Sequence, residues 1–551
     1  EIPHCLFINK VDTAMASVAE VIEALQAVSN LPLVLRQVPI RDGEHVTGYV
    51  DLASERAYEY KPGEASDLIG LPDSMVDRKE TARNELIEKL ADFSDTLLEQ
   101  FLEDVVPEKS EIYKDLAKDM AEGLIVPVLL GAGLSDHGVR RLLKLLRHEV
   151  PHAAATAARR GVAPAGEALA QVFKTSFVPH AGKLSLVRVW RGEIKDGMTL
   201  NGARIAGLFR MQGHNIDKAG SAGIGEVVAL GRMDEINTGD VLTPSGEAKD
   251  ELTWPEKLAP VYALAVEAEN RSDEVKLTGA IGRLAEEDPS LALEQNADTQ
   301  QMLVWGQGEM HLQIAFDRMA NKSNLKVKSH IPRVAYKETI RKSISQHGRF
   351  KRQTGGHGQF GDVHIDIKPL PRGSGFNFSQ TISGGVVPRQ YIPAVEAGVK
   401  DYMRRGPLGF PVVDVAVTLT DGSYHAVDSS DQAFRQAARI AMTEGMSKCD
   451  PVLLEPIYMV RIAVPSEYTS RAQRLISGRR GQFLGFDARP GWKGWDEVSA
   501  NMPQSEIRDL INELRSLSLG VGTFTYRFDH LQEITGKLAD QVIEQRQAAA
   551  G

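Results

Sequence analysis

Cysteine is nearly absent from this chain. Its 551 residues contain two, Cys5 and Cys449. Thiols so few and so far apart exclude a disulfide framework, argue against a four-ligand zinc site, and make a reducing compartment the expectation. Long apolar runs are also missing: none approaches the roughly 20 residues that a membrane-spanning helix needs. No Gly-x-Ser-x-Gly elbow and no Cys-x-x-Cys pair occurs, and no His-Glu-x-x-His helix is expected. The loop Gly-x-x-x-x-Gly-Lys-Ser/Thr, which cradles β- and γ-phosphates and places Mg2+, is absent as well. No catalytic residue and no metal ligand is therefore assigned. The net charge of -10 excludes a uniformly basic nucleic-acid coat, although not a local basic patch.

What remains is ordinary globular composition, 42% hydrophobic and 25% charged, in a length that suggests roughly four or five domains. The chain opens on Glu1 and runs at once into His4-Cys5-Leu6-Phe7-Ile8, an apolar stretch of strand type. It has no cationic start and no cleavage signature, so a signal peptide is not expected. A chain that begins inside a buried strand reads as a fragment, since a lone strand cannot form a core.

Along the chain, Leu6-Phe7-Ile8 precedes a loop and then Val18, Val21, Ile22 and Leu25 at helical spacing. Residues 32–122 are mixed, with a strand at 47–52 and a charged amphipathic helix over 83–102. Val126-Pro-Val-Leu-Leu130 reads as a buried strand. Val139, Leu142, Leu143 and Leu146 mark one face of a helix, and 153–166 reads as an alanine-rich linker. Residues 166–245 change to short strands with glycine turns, the pattern of a small β-barrel. Residues 258–338 and 456–534 each follow the order β-α-β-β-α-β of a ferredoxin-like unit. Residues 339–455 form a mixed α/β unit between them, and 535–551 a C-terminal helix or tail.

Three loops are candidates for chemistry. In Asn9-Lys10-Val11-Asp12, an Asp carboxylate can accept both the ring N–H and the exocyclic amine of guanine, a donor pair that adenine lacks. The Asn amide can reach the other edge of the base, and the Lys stem can lie on its face. The tetrapeptide alone is a weak signal. Its position between a buried strand and a helix strengthens it, as does the second strand-loop-helix at Gly131-Ala132-Gly133-Leu134, where small residues let backbone N–H groups approach a base oxygen. Gly356-His357-Gly358-Gln359-Phe360-Gly361 spells the dinucleotide-binding fingerprint, but that motif needs a helix to follow. Here Val363, Ile365 and Ile367 alternate with polar residues, so a strand follows and the glycines belong to a hairpin tip. Arg341, Lys342, Arg349, Lys351, Arg352, Lys368 and Arg372 are expected around it, a setting that suits a phosphate backbone as well as a solvated hairpin. In Asp421-Gly-Ser-Tyr-His425-Ala-Val-Asp428-Ser-Ser430 the histidine receives no acid–base role from pattern alone.

Longer strings carry a resemblance. Asn9-Lys-Val-Asp12, Arg283-Leu-Ala-Glu-Glu-Asp-Pro289, Gly306-Gln-Gly-Glu-Met-His-Leu312 and Arg352-Gln-Thr-Gly-Gly-His-Gly-Gln359 are followed, in order, by Pro369-Leu-Pro-Arg-Gly-Ser-Gly375, Tyr391-Ile-Pro-Ala-Val395, Phe410-Pro-Val-Val-Asp414 and Asp421-Gly-Ser-Tyr-His425. Together they resemble translation elongation factor G, from inside its GTPase domain to its C-terminus. The resemblance implies a multidomain α/β and α+β architecture. Residues 1–152 would be the C-terminal part of a P-loop GTPase domain with an inserted subdomain at about 32–122. A β-barrel, two ferredoxin-like domains and one ribosomal-protein-like α/β domain (339–455) would follow. It implies guanine selection by Asn9, Lys10 and Asp12, with Ala132 and Gly133 completing the base pocket where the family carries Ser-Ala. It implies a ribosome-entering tip made of the 355–361 and 425–430 loops, with Gly356, His357, Gly358, Gln359, His425 and Asp428 facing RNA. It implies GTP or GDP with Mg2+ as cofactor, the ribosome with its tRNA and mRNA as partner, a monomer, no membrane, and a cytoplasmic location.

The phosphate loop, switch regions and catalytic histidine of the family would all precede Glu1, so the 551 residues by themselves are expected neither to hydrolyse GTP nor to bind it tightly. Trp492-Lys-Gly-Trp495-Asp496 and Glu513-Leu-Arg-Ser-Leu517 resemble divergent paralogues of the factor. Translocation, ribosome recycling, and a non-enzymatic ribosome-binding or protective role all stay open at this point.

Overall fold

The computed structural model describes residues 2–14, 16–43, 45–103, 105–178, 182–213, 215–248, 252–352 and 358–548. The chain divides into two compact units, Glu1–Pro255 and Glu256–Gly551.

In the first unit, the wholly buried strand Val126–Leu130 lies between two parallel neighbours, Leu6–Ile8 and Leu33–Leu35. A run of apolar residues without alternation is what a strand covered on both faces requires. An antiparallel sheet follows in the order Gln37–Asp42, His45–Asp51, Arg56–Glu59, Asp67–Ile69. Val50 and Leu52 from this part share a core with Leu86, Leu90 and Leu116 from helices and with Leu129 from the parallel strands.

Three sequence expectations fail here. The segment 83–102 is not one helix: Val76–Ala91 ends and Asp95–Leu102 begins anew, because Ser94 is extended. The alanine-rich stretch contains the helix Ala153–Arg159, whose first turn donates Ala155 N–H to the His152 ring. Alanine forms helix by propensity alone, without the apolar period that sequence reading looks for. In the helix Val139–His148 the buried residues are Arg141 and Leu145, whereas Leu143 and Leu146 are exposed. Arg141 is drawn inward by an ion pair with buried Asp51, Nη2 to Oδ2 at 2.6 Å.

The rest of this unit is a six-stranded antiparallel sheet ordered Asn215–Lys218, Leu208–Gln212, Val227–Gly231, Gly182–Arg191, Leu169–Val178, Val241–Leu242. Val187, Val189 and Leu230 lie in its core.

The second unit begins with an antiparallel sheet ordered Ala292–Asn296, Gln301–Gly306, Tyr262–Ala268, Val327–His330. Helices Glu274–Glu287 and Glu309–Ser323 bury Leu277, Ile281, Leu312 and Phe316 against it. Next comes a sheet ordered Ile344–Arg352, Gln359–Pro369, Val415–Ser423, Phe376–Gln380, in which only the last pair is parallel. Val363, Ile365, Ile367, Val417 and Leu419 pack with Phe434, Ala437 and Ala441 of the helix Asp431–Met446. The intervening polar residues form an open face.

The strand Pro451–Pro465 then runs for 15 residues without a break. Its first residues pair with Lys337–Ile340 and its later ones with Trp495–Pro503. Along its other edge runs Thr523–Ile534. One ladder system therefore joins the base of the preceding sheet to the C-terminal one. Arg341 and Arg372 both bind Glu533 of that outer strand. Partial burial pushes Glu533 up, but the two guanidinium groups outweigh it and hold the carboxyl below its ordinary range. The C-terminal helix Lys537–Ala548 closes the junction, with Ala539 against Phe410, Leu453 and Ile534. Among the described residues, no helix is long and apolar enough to cross a membrane.

Candidate functional site

Two loop pairs gather the residues singled out above, one in each unit. In the first unit, Asn9–Asp12 and the 131–135 loop both leave the C-terminal ends of adjacent parallel strands, where crevices open in α/β sheets. The loops are tied together. Gly133 N–H donates to Asn9 Oδ1 at 2.9 Å, Ser135 Oγ to Asp12 Oδ2 at 3.4 Å, and Val11 N–H to Gly131 O at 3.2 Å.

Glycine is required at 131, where a Cβ would strike Phe7 and the His137 carbonyl. It is not required at 133, where a Cβ would sit 3.6 Å from Asn9 Oδ1 in ordinary contact. Lys10 is exposed and takes φ of 59°, the left-handed region that favours glycine, so this turn is strained at the residue meant to lie on the base. Ala132 is buried, and its N–H is already spent on His137 O at 2.9 Å. It therefore shapes the turn and offers no free donor. Asp12, partly buried and only distantly bonded, keeps acceptor capacity for a purine edge, so the side chains fit the base of a guanine nucleotide.

In the second unit, the Gln359–Pro369 strand meets the 425–430 loop. Gly358 N–H donates to Asp428 Oδ1 at 3.0 Å, and Phe360 N–H to Asp428 O at 2.8 Å. A Cβ at Gly358 would lie 2.9 Å from the Asp428 carboxyl carbon, so a larger residue there would have to displace that carboxylate. Ser429 Oγ donates to Phe360 O at 3.0 Å and accepts His425 N–H at 2.9 Å. Ser430 caps the following helix through Ala433 N–H.

The His425 ring stands edge-on to Phe360, and its Nδ1 accepts Asp428 N–H at 3.2 Å and Val427 N–H at 3.4 Å. The same Nδ1 lies 3.3 Å from Asp428 Oδ2, so the loop engages Nδ1 and leaves Nε2 of the half-exposed imidazole for an outside partner. Gln359 is exposed beside it. The structure thus brings Gly358, Gln359, His425 and Asp428 into one tip. Gly356 and His357 lie outside the described residues.

The expected ring of cations is only partly at this tip. Arg349, Lys351 and Arg352 approach it, and the Arg349 guanidinium lies 5.2 Å over the Phe360 ring. Arg341, Lys342, Lys368 and Arg372 sit at the other end of the hairpin. A strand rises about 3.3 Å per residue, so they are roughly 25 Å away, and two of them are committed to Glu533.

Sequence reading missed two further features. Ser429 and Tyr391, whose hydroxyl donates to Ser429 O at 3.2 Å, brace the tip through contacts too long-range for any local pattern. His347 and His364 stack face to face beside Asp362, and a hairpin turn centred near 355 would have placed them opposite each other. One string does spell His-Glu-x-x-His, His148-Glu149-Val150-Pro151-His152, but the helix ends at His148 and Glu149 is bonded to buried Arg36. It therefore presents no two-histidine helical face.

Comparison with known proteins agrees with this arrangement of elements. Residues 259–330 match the family model for elongation factor G domain III, 332–450 that for domain IV, and 452–542 that for the elongation factor G C-terminus. The chain therefore belongs to the elongation factor G family. An elongation factor G-like protein of Synechocystis sp. is 53% identical over 540 residues, spanning 98% of this chain and 80% of that protein. A crystal structure of a protein from Thermus thermophilus superimposes with a TM-score of 0.84 at 32% identity, covering 99% of this chain and 81% of the other.

Proposed function

We propose that the chain acts on the ribosome as an elongation factor G-like translational GTPase, in GTP-dependent movement of the tRNA–mRNA complex, in ribosome disassembly, or in both. The observation that carries this is the tip itself. Two loops remote in sequence are fastened by Asp428 and Ser429 so that exposed Gln359 and the His425 imidazole lie in one tip, beside an arginine-bearing aromatic ring. Polar groups on a rigid projection, with backbone glycines allowing close approach, suit RNA bases and riboses in a decoding region.

On this reading residues 1–152 are the later part of a P-loop GTPase domain with its inserted subdomain, 166–245 a barrel, and 339–455 the decoding-site arm. The protein works as a cytoplasmic monomer with GTP or GDP and Mg2+. Asn9, Asp12 and the Gly133 loop read the base. The phosphates need a charged loop that these 551 residues do not contain, so alone they would hold the nucleotide weakly.

Two experiments test the two ends separately, both on a chain that carries the phosphate loop. His425→Ala combined with Gln359→Ala is expected to slow the ribosome-stimulated step roughly thirtyfold, the loss of two hydrogen bonds of about 1 kcal/mol each, and to leave GDP affinity unchanged. A fall in GDP affinity would refute the separation of roles. Asp12→Asn is expected to reduce the preference for guanine over xanthine nucleotides by about a hundredfold or more, because the amide presents a donor where guanine also presents one. Unchanged preference in competition binding would show that Asn9–Asp12 is only a loop.

A further inference from the structure

The open face of the sheet bearing the tip carries a cluster that the ribosomal reading does not use. His347 on Ile344–Arg352 and His364 on Gln359–Pro369 are directly opposite in antiparallel register, with ring centroids 4.3 Å apart and planes within 15°. Asp362, two residues along the same strand, accepts His347 Nε2 at 2.5 Å on one oxygen and Ser423 Oγ at 2.6 Å on the other. One ligand atom from each of His347, Asp362 and His364 lies within 4.8 Å of the other two.

We propose that His347, His364 and Asp362 form a binding site for a divalent transition-metal ion of the zinc or nickel type. Two imidazoles and one carboxylate are a donor set that such ions prefer over magnesium or calcium, which take oxygen alone. Ligands about 2.0–2.1 Å from a tetrahedral ion stand roughly 3.4 Å apart, so modest side-chain rotation closes the cluster around one.

The neighbourhood is suitable. Ser423 orients Asp362 from the third strand, as an outer hydrogen bond does for a metal-bound carboxylate. Arg349 is paired in register with Asp362, and its guanidinium is turned over the Phe360 ring. On the other side Asp421 lies opposite His364 and supplies a second negative charge. The strand ladders fix the spacing of all three ligands, and the remaining coordination positions face solvent, where water completes the shell. The site is independent of the proposed ribosomal role, because it needs neither the tip nor a nucleotide.

Isothermal titration of the 551-residue chain with nickel chloride tests it. One equivalent is expected to bind at pH 7.5. His364→Ala, whose imidazole makes no hydrogen bond among the described residues, and Asp362→Asn should each weaken binding by about a hundredfold or more, since groups that merely orient a ligand already contribute ten- to a hundredfold. Absence of binding at about 100 μM ion, or equal affinity in His364→Ala, His347→Ala and the parent chain, overturns the proposal, because the ion would then be held by others of the chain's 14 histidines or by none. The metal-free unfolding curve of His364→Ala is expected to match the parent's, which separates a lost ligand from a damaged sheet.

Discussion

Gly361→Ala is expected to destabilise the sheet and helix beneath the tip by about 1–3 kcal/mol, the usual cost of overpacking a filled core. The strand Gln359–Pro369 crosses the helix Asp431–Met446 so closely that a Cβ at position 361 would lie 2.5 Å from Ala433 O and 2.8 Å from Phe434 N. Both atoms are backbone, so no side chain can swing away. Gly348 on the neighbouring strand meets Ala441 of the same helix in the same way. Ala433, Ala437 and Ala441 complete a seam of small residues on which strand and helix backbones nearly touch. The alanine would have to lift the hairpin and pull Phe360 away from Ser429. A chain of several domains does not unfold in one transition, so hydrogen exchange of the 431–446 amides is the measurement to make. Unaltered protection there would show that the seam has slack.

Glu149→Gln is expected to destabilise the first unit by about 3 kcal/mol or more, the scale for breaking a buried ion pair by removing one partner. Arg36 is fully buried, and its Nη1 and Nη2 reach the two Glu149 oxygens at 2.5 and 3.3 Å. Its Nε has no acceptor among the described residues, so the carboxylate is the main compensation for the charge. Beside it the Arg141–Asp51 pair shares Tyr113, whose hydroxyl bonds both residues. The double replacement Arg36→Met with Glu149→Leu is expected to recover most of the loss, because apolar side chains of similar volume often substitute for a buried pair without cost. Hydrogen exchange of the buried amides of Val126–Leu130, compared in the parent, in Glu149→Gln and in the double replacement, decides the matter. If Glu149→Gln alone is as stable as the parent, the pair is solvated and the argument fails.

The contrast between these sites explains what was legible in the sequence. Alternation marked Val363, Ile365 and Ile367 as strand because Gln359–Pro369 buries one face, and the period of two survives in the residue order. Tyr458, Val460, Ile462 and Val464 alternate too, but Pro451–Pro465 buries residues 452–457 in an unbroken run, so the strand's full length was not legible. Asn9–Asp12 could be placed between strand and helix for the same local reason. Arg141 could not be recognised as a core residue, since its partner Asp51 comes from another element 90 positions earlier. Nor could Gly358 and Asp428 be paired, with 70 residues between them. Basic residues close in sequence to the glycine loop were assigned to it wholesale, but an extended strand carries half of them to the opposite end. Local periodicity thus located the elements, while the pairs that build the site are made by tertiary contact alone.

The 15-residue strand Pro451–Pro465 has a mechanical consequence. Such a strand spans about 50 Å, and it is paired along much of its length with Thr523–Ile534. Its middle is the yielding point: on one edge Glu455 and Pro456 fall between the partners Lys337–Ile340 and Trp495–Pro503, and on the other the register shifts at Ile457/Tyr458. An irregularity of this kind bends a strand, so torque applied to the C-terminal sheet would flex the shaft there, and a few degrees of rotation would become a displacement of several ångströms at the far hairpin.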